Sequence, residues 1–196
     1  MIGVLAYGSL MSDPGDELSA VIVGVKPDVL TPFHVEFARS SVKRGGAPTL
    51  VPVTVGGRPV RANILEVNAT EREALDIVYR REINEIYSGK TYVEPGPSRL
   101  NAVRFDLFEK FSGFDVVIST RMLSNIEHLS AERLADLAIA SAKKQRDGRD
   151  GISYLLRAKA CGIVTELSAA YERTVLERTG ATDLAGALVA VTTDLA

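Results

Sequence analysis

The first 122 residues contain a succession of short strand-like segments with a single long helical segment among them, and this order constrains the fold more than any other feature. Roughly seven runs are rich in β-branched and aromatic residues, among them 20–25, 29–39 and 60–67. A doubly wound sheet needs a helix after nearly every strand, and no strand here leads into a glycine-rich phosphate loop. We therefore predict an α+β fold: a small mixed β-barrel, partly closed, with flanking helices.

The first strand ends in a small loop that contains glycine. An apolar run within residues 2–12 reaches Tyr7-Gly8-Ser9, and residues 13–15 have the composition of a turn. Gly8 lacks a Cβ and can take a positive φ, while Ser9 adds one small hydroxyl. Successive backbone N–H groups in such a turn form a concave site for an anion. The pattern suits either a plain structural turn or an anion-binding loop.

A helix is predicted from about Glu71 to Ile86, because Thr70 and Glu73 form a capping box at its start. Glu82 falls in the middle of the apolar stripe of this helix. Burial of an ionised carboxylate costs several kcal/mol unless it is paired, and desolvation raises its pKa towards the range of a general base. Glu82 is therefore either a catalytic acid or the partner of a nearby arginine. The stripe comprises Leu75, Val78, Tyr79, Glu82 and Ile86, whereas Arg80, Arg81 and Glu85 fall on other faces and are expected to be solvated.

The last third of the chain is helical. Helices are expected at 130–145, 152–161, 167–178 and 183–193. We predict a barrel domain at 1–125 and a helical extension at 126–196. The extension is expected to pack on the barrel or to form a homo-oligomer with a second subunit.

Composition excludes several classes of partner. The chain has 196 residues, is 46% hydrophobic and 24% charged, and carries a formal net charge of −2, so neither nucleic acid nor an anionic membrane is expected to bind it. No apolar run suits a membrane span or signal peptide, and we expect a cytoplasmic protein. Cys161 is the single cysteine, and His34 and His128 lie far apart, so neither a metal site nor a Ser-His-Asp triad is expected.

The segment Tyr7-Gly8-Ser9-Leu10, at the end of a first strand, resembles the γ-glutamylcyclotransferase-like family. The resemblance implies that this loop holds the α-carboxylate of a γ-glutamyl group, largely through backbone N–H donors. A Ser-rich, Gly-Gly, Ala-Pro-Thr-Leu segment is also similar, which makes Arg44, Gly45 and Gly46 candidate residues of the pocket rim. The family often has Leu-Asp-x-x-Glu in its helix, but here Tyr79 stands three residues after Asp76. Glu82 is the acid we select, and Glu85 and Asp76 remain alternatives.

The resemblance implies an enzyme of the transferase or lyase type that releases 5-oxoproline from a γ-glutamyl amide and needs no cofactor. The sequence leaves open which γ-glutamyl compound is the substrate. A non-catalytic protein of the same fold, which binds a γ-glutamyl or other carboxylate ligand, is the alternative. A third hypothesis is an interaction module that associates through its helical tail.

Overall fold

Strands dominate the first 121 residues and helices dominate the rest, as the sequence predicts. The computed structural model describes residues 1–145 and 147–193. The strands are β1 (Ile2–Ala6), β2 (Ile22–Leu30), β3 (His34–Ser41), β4 (Ala47–Val53), β5 (Arg61–Val67), β6 (Arg104–Glu109) and β7 (Val116–Arg121). The helices are α1 (Ser9–Ser12), α2 (Asp16–Ser19), α3 (Glu71–Ile83), α4 (Ala131–Ala142), α5 (Gly151–Ala160), α6 (Ser168–Thr179) and α7 (Leu184–Thr193).

Five of the strands form one mixed sheet in the order β2-β5-β1-β7-β6. Strand β1 runs parallel to β7, and the other neighbouring pairs are antiparallel. Strands β3 and β4 form a separate antiparallel pair. The prediction of a mixed α+β fold is confirmed. Between residues 1 and 121 the five-stranded sheet keeps β2 and β6 as edges, and a closed barrel is not found.

The chain divides into two compact units that interleave along the sequence. The first comprises Met1–Thr31 and Arg61–Leu123, and the second comprises Pro32–Val60 and the described residues from Ser124 onward. The sequence instead predicts one boundary near residue 125. Residues 32–60 group with the later helices because β4 packs against α4 and α5.

The core of the first unit lies between the sheet and α3, which packs on β1 and β7. Side chains of β1 and β7 point alternately to the two faces of the sheet. Val4, Ala6 and Ile118 therefore join the same apolar cluster as Val78 of the helix. Leu10, from the turn after β1, belongs to this cluster and is 5% exposed. The end of β1 is therefore fixed against the helix by packing.

Helix α3 begins as predicted and ends earlier than predicted. The capping box is present, since the Thr70 side chain accepts from the Glu73 N–H and the Glu73 carboxylate accepts from the Thr70 N–H. Asn84 takes the left-handed conformation at φ 59°, which ends the helix after Ile83. Ile86, expected on the buried stripe, lies outside the helix and is 41% exposed.

The second unit is built on the β3–β4 pair and helices α4 to α7. Phe37 of β3 makes edge-to-face contacts with Tyr154 and Tyr171. Glu36, on the opposite face of β3, is also buried, and its carboxylate accepts from the Leu167 N–H at 3.0 Å. Both faces of β3 are therefore covered. None of the helices in the described part of the chain combines the length and apolar character that a membrane span requires.

Candidate functional site

The loop after β1 has the geometry that its glycine predicts. Gly8 lies at φ 60° and ψ −133°, a conformation that other residues rarely adopt. Its carbonyl accepts from the Met11 N–H at 3.2 Å, and the single turn α1 that follows has no side-chain cap. The Tyr7 hydroxyl donates to the Thr120 carbonyl at 3.2 Å. The loop is therefore held at the carboxyl ends of two neighbouring parallel strands, β1 and β7.

Glu82 lies beside this loop because both contact Arg81. The guanidinium of Arg81 donates one hydrogen bond to Oε1 of Glu82 at 2.6 Å and another to Oγ of Ser9 at 3.3 Å. It also donates to the Asp13 carbonyl at 2.6 Å. The structure thus brings together the predicted loop and the predicted acid, which lie more than 70 positions apart in sequence.

The environment of Glu82 differs from the prediction. Its side chain is 20% exposed and forms an ion pair with Arg81, whose side chain is 14% exposed. Glu82 is therefore half-buried at the end of the helix, and not a lone carboxylate at the centre of an apolar face. The alternative given by the sequence, a salt bridge with a nearby arginine, is present.

Arg80 and Arg81 are not solvated, and this prediction is wrong. The buried face of α3 runs through Ala74, Ile77 and Val78. Arg81 follows Val78 by three residues and Ile77 by four, so it continues that face. The apolar stripe drawn from the sequence is rotated by one position from the face that packs. The spacing of Ala74, Ile77 and Val78 is the signal that could have identified Arg81.

Arg80 forms a second ion pair close by. Its Nε donates to both carboxylate oxygens of Glu17 in α2, at 2.9 and 3.1 Å. Glu17 also accepts from the Tyr87 N–H at 3.0 Å, and Arg80 donates to the Lys90 carbonyl at 2.8 Å. Mainly through the hydrogen bond from Arg80, the pKa of Glu17 lies below its ordinary value. This pair fixes the segment that follows α3.

Of the two alternative acids, Asp76 is buried and Glu85 is exposed. Asp76 accepts from the Tyr92 N–H at 2.6 Å and from Nε of Arg72 at 3.2 Å. Both of its oxygens are thus engaged in holding Tyr92 against the helix. Glu85 is 41% exposed and pairs with Lys90 at 2.6 Å. Neither acid contacts the Tyr7–Leu10 loop among the hydrogen bonds and ion pairs of the described residues.

The segment around residues 87–97, which follows α3, is held in place at Tyr92. The Tyr92 ring is 7% exposed and packs edge-to-face on Tyr79 and Phe105. Its hydroxyl donates to Glu94, and burial raises its pKa well above the ordinary value. Tyr92 is therefore a neutral, structural side chain at physiological pH.

The predicted rim residues Arg44, Gly45 and Gly46 lie in the second unit. The Arg44 guanidinium stands 5.1 Å from the centroid of the Tyr154 ring, a cation–π distance. Gly45 and Gly46 have φ of 64° and 92°, and a Cβ on Gly45 would meet Cγ of Gln145 at 2.9 Å. These glycines make the tight connection from β3 to β4. Its part in binding stays a prediction.

Among residues 1–145 and 147–193, no group of three His, Cys, Asp or Glu side chains is placed to hold a metal ion. A shallow depression of about 500 Å³ lies along α6, lined by side chains such as Arg173 and Leu176, and none of the predicted site residues lines it. Comparisons of the chain with protein-family models, curated proteins and solved structures find no match.

Proposed function

We propose that this chain is a γ-glutamylcyclotransferase-like enzyme, which cleaves a γ-glutamyl amide and releases 5-oxoproline and an amine. One observation carries the proposal: a carboxylate, Glu82, and a loop of the Tyr-Gly-Ser-Leu type lie against the same arginine side chain. A γ-glutamyl group has an anionic α-carboxylate and an α-ammonium group close together. The first suits the backbone donors of the loop, and the second suits the carboxylate.

The reaction needs proton transfer and correct folding of the substrate. Glu82 takes one proton from the α-ammonium group, and the free amine attacks the γ-carbonyl carbon. The new C–N bond closes the five-membered ring as the carbonyl oxygen takes up negative charge, which backbone N–H groups stabilise. When the carbonyl re-forms, the bond to the departing nitrogen breaks as this nitrogen receives the proton from Glu82. The ring nitrogen still carries one proton more than the lactam, and it passes this proton through the Glu82 carboxylate to the departing amine, which leaves as an ammonium ion. Glu82 is then a carboxylate again.

Binding geometry supplies much of the rate in such a reaction. The nucleophile is part of the substrate, so the protein has only to hold the chain folded, and intramolecular placement can contribute about 7–11 kcal/mol. Gly8 supports this role because its positive φ turns the backbone away from the strand direction. The side chain of Leu10 is in the core, so this residue would act through its N–H alone.

Membership of the family, together with its small mixed barrel, is part of the same proposal. Further strand pairing that bridges β2 and β6 would support the barrel. One observation favours the non-catalytic alternative: Oε1 of Glu82 is already held by an arginine, as it would be in a binding site that recognises charge. The two functions therefore have to be separated by measurement.

The deciding experiment compares wild type with Glu82→Gln for 5-oxoproline release from γ-glutamyl amino acids, glutathione and a γ-glutamyl amine. Glutamine keeps the shape of Glu82 but cannot accept the proton, so we expect release to fall at least about 10²-fold. Glu85→Gln is the matched control, because it removes an acid three positions away that is 41% exposed and should leave release unchanged.

Three results would change the proposal. Undiminished release in Glu82→Gln would exclude Glu82 as the base, and a large loss in Glu85→Gln would transfer the role to Glu85. No release by wild type, with a melting temperature that rises when the same compounds are added, would favour the binding protein. A ligand at 100 times its Kd stabilises by about 2.7 kcal/mol, which a melting experiment detects.

A further inference from the structure

We infer that Arg81 is a positioning residue for this site: it presents one oxygen of Glu82 as the base and makes the Ser9 hydroxyl a hydrogen-bond donor towards the ligand. The inference rests on the proposed function. The inference extends the proposed function by assigning a role to a side chain that contacts both the acid and the loop.

The side chain of Arg81 is fixed along its length. Its stem continues the buried face of α3 after Val78, and it passes close to Gly15, where an added Cβ would lie 3.3 Å from Cγ of Arg81. Gly15 has a φ of 78°, so the turn between α1 and α2 bends around the stem. The guanidinium is therefore held in place before any ligand arrives.

The planar guanidinium then fixes three partners at once. One terminal nitrogen contacts Glu82, and the other contacts both Ser9 and the Asp13 carbonyl. A guanidinium directs its N–H groups in a rigid fork, whereas an ammonium is a single point charge on a flexible stem. The spacing between the Glu82 carboxylate and the loop is thus set by the width of one rigid group.

The two oxygens of Glu82 are left in different states. Oε1 accepts from Arg81 at 2.6 Å, and Oε2 has no hydrogen-bond partner within the described part of the chain. At 20% exposure the carboxylate is partly shielded from water yet still reachable. Oε2 is therefore the oxygen that can accept a proton from a ligand, and the bond to Oε1 fixes its direction.

The Ser9 hydroxyl, in contrast to the Glu82 carboxylate, has a proton that it can donate to a ligand. Its oxygen accepts from Arg81, which has no lone pair to offer in return. No acceptor for the Ser9 hydroxyl proton is present among residues 1–145 and 147–193. The proton is thus free to donate to an acceptor on the ligand, such as the α-carboxylate or the γ-carbonyl oxygen.

The test is a double-mutant cycle on 5-oxoproline release with Arg81→Met, Arg81→Lys, Glu82→Gln and the Arg81→Met/Glu82→Gln double variant. We expect Arg81→Met to lower kcat by about 10–10²-fold, because a misplaced base loses the benefit of preset geometry. Arg81→Lys should recover only part of this loss, since an ammonium on a flexible stem lacks the rigid fork that sets the spacing of the two partners. Arg72→Met is the control, because Arg72 is 57% exposed and pairs with Asp76 on the same helix.

The cycle separates positioning from simple support of the fold. If Arg81 acts on the base through Glu82, kcat of the double variant should be no lower than kcat of Glu82→Gln alone, and the loss of the Ser9 contact should raise KM. The inference would be overturned if the fold-losses in kcat of the two single variants multiply in the double variant, or if Arg81→Met has the kcat of wild type. In either case, release by wild type would still support the proposed function. Wild type that releases nothing would overturn both. Melting curves of every variant show which preparations are folded at the assay temperature.

Discussion

Two of the carboxylates of helix α3, Asp76 near its middle and Glu82 near its C-terminal end, have different surroundings. Asp76 is the more buried of the two, and both of its oxygens accept hydrogen bonds, from the Tyr92 N–H and from Arg72. Glu82 is half-buried, with one oxygen bound to Arg81 and the other without a partner among the described residues. The more buried carboxylate is thus the one whose two oxygens are both already engaged in hydrogen bonds.

This difference shows that the burial of a carboxylate and the presence of an oxygen without a hydrogen-bond partner are separate signs of function. A buried carboxylate whose oxygens are all satisfied stabilises the fold, and removal of its partners is costly. A carboxylate held by one oxygen is oriented but can still exchange a proton. We therefore expect changes at Asp76 to affect unfolding and changes at Glu82 to affect activity, and each prediction below tests that separation.

The largest effect on stability is expected at the Arg80–Glu17 pair, which lies next to the site but is fully hydrogen-bonded. The two side chains are 12% and 13% exposed, so Arg80→Met leaves a shielded carboxylate without its cation. We expect the free energy of unfolding to fall by about 3 kcal/mol. Urea unfolding measures it, and 5-oxoproline release per folded molecule should fall far less than in Glu82→Gln. A loss of release as large as that of Glu82→Gln would mean that a carboxylate's role depends on its location and not on whether one of its oxygens lacks a hydrogen-bond partner.

A smaller loss of stability is expected for Asp76→Asn. Asparagine has the same shape, but it replaces a charged acceptor and turns an N–H₂ group towards either Arg72 or the Tyr92 N–H. We expect a loss of about 2 kcal/mol in the free energy of unfolding. Glu82→Gln should change it by much less, since Glu82 is partly exposed. Equal losses in the two variants, measured by denaturant unfolding, would remove the distinction.

A loss of about 1 kcal/mol is expected when the capping box is broken by Thr70→Ala. Thr70 is exposed, and its side chain caps α3 at the end opposite to Glu82. The measurement is again the midpoint of denaturant unfolding, together with kcat at a temperature where the variant is folded. Since the cap is remote from the site, kcat should stay at the wild-type value. A fall in kcat would show that helix fraying reaches Glu82.

The smallest expected effect is a dependence of the free energy of unfolding on pH. The hydrogen bond from Arg80, with further help from the Tyr87 N–H, lowers the pKa of Glu17 in the folded chain. Its contribution is therefore complete above the ordinary glutamate pKa of about 4.3 and is lost as the pH falls through the lower, folded-state value. The difference in unfolding free energy between wild type and Glu17→Gln should shrink over that window. A difference that stays constant from neutral to acid pH would contradict the role of the pair.

The elements were largely predictable from local patterns. The first strand, the capping box at Thr70 and the caps of α4 at Ser130 and of α5 at Asp150 depend on residues within a few positions of one another. The end of α3 was misplaced by three residues, because Asn84 can either continue a helix or close it in the left-handed conformation. That choice depends on what the next residues contact.

The site was predictable in its parts, and its assembly was not. The sequence by itself determined the first strand that leads to Tyr7, the glycine with positive φ at position 8 and a carboxylate at Glu82, because backbone sterics and side-chain chemistry are local. Only the tertiary structure decided which face of α3 packs. A rotation of the buried face by one residue, about 100°, moved Arg81 inward. The pairing of Ser9 with Glu82 through that arginine follows from the packing of β1 against α3, which residues distant in the chain create together.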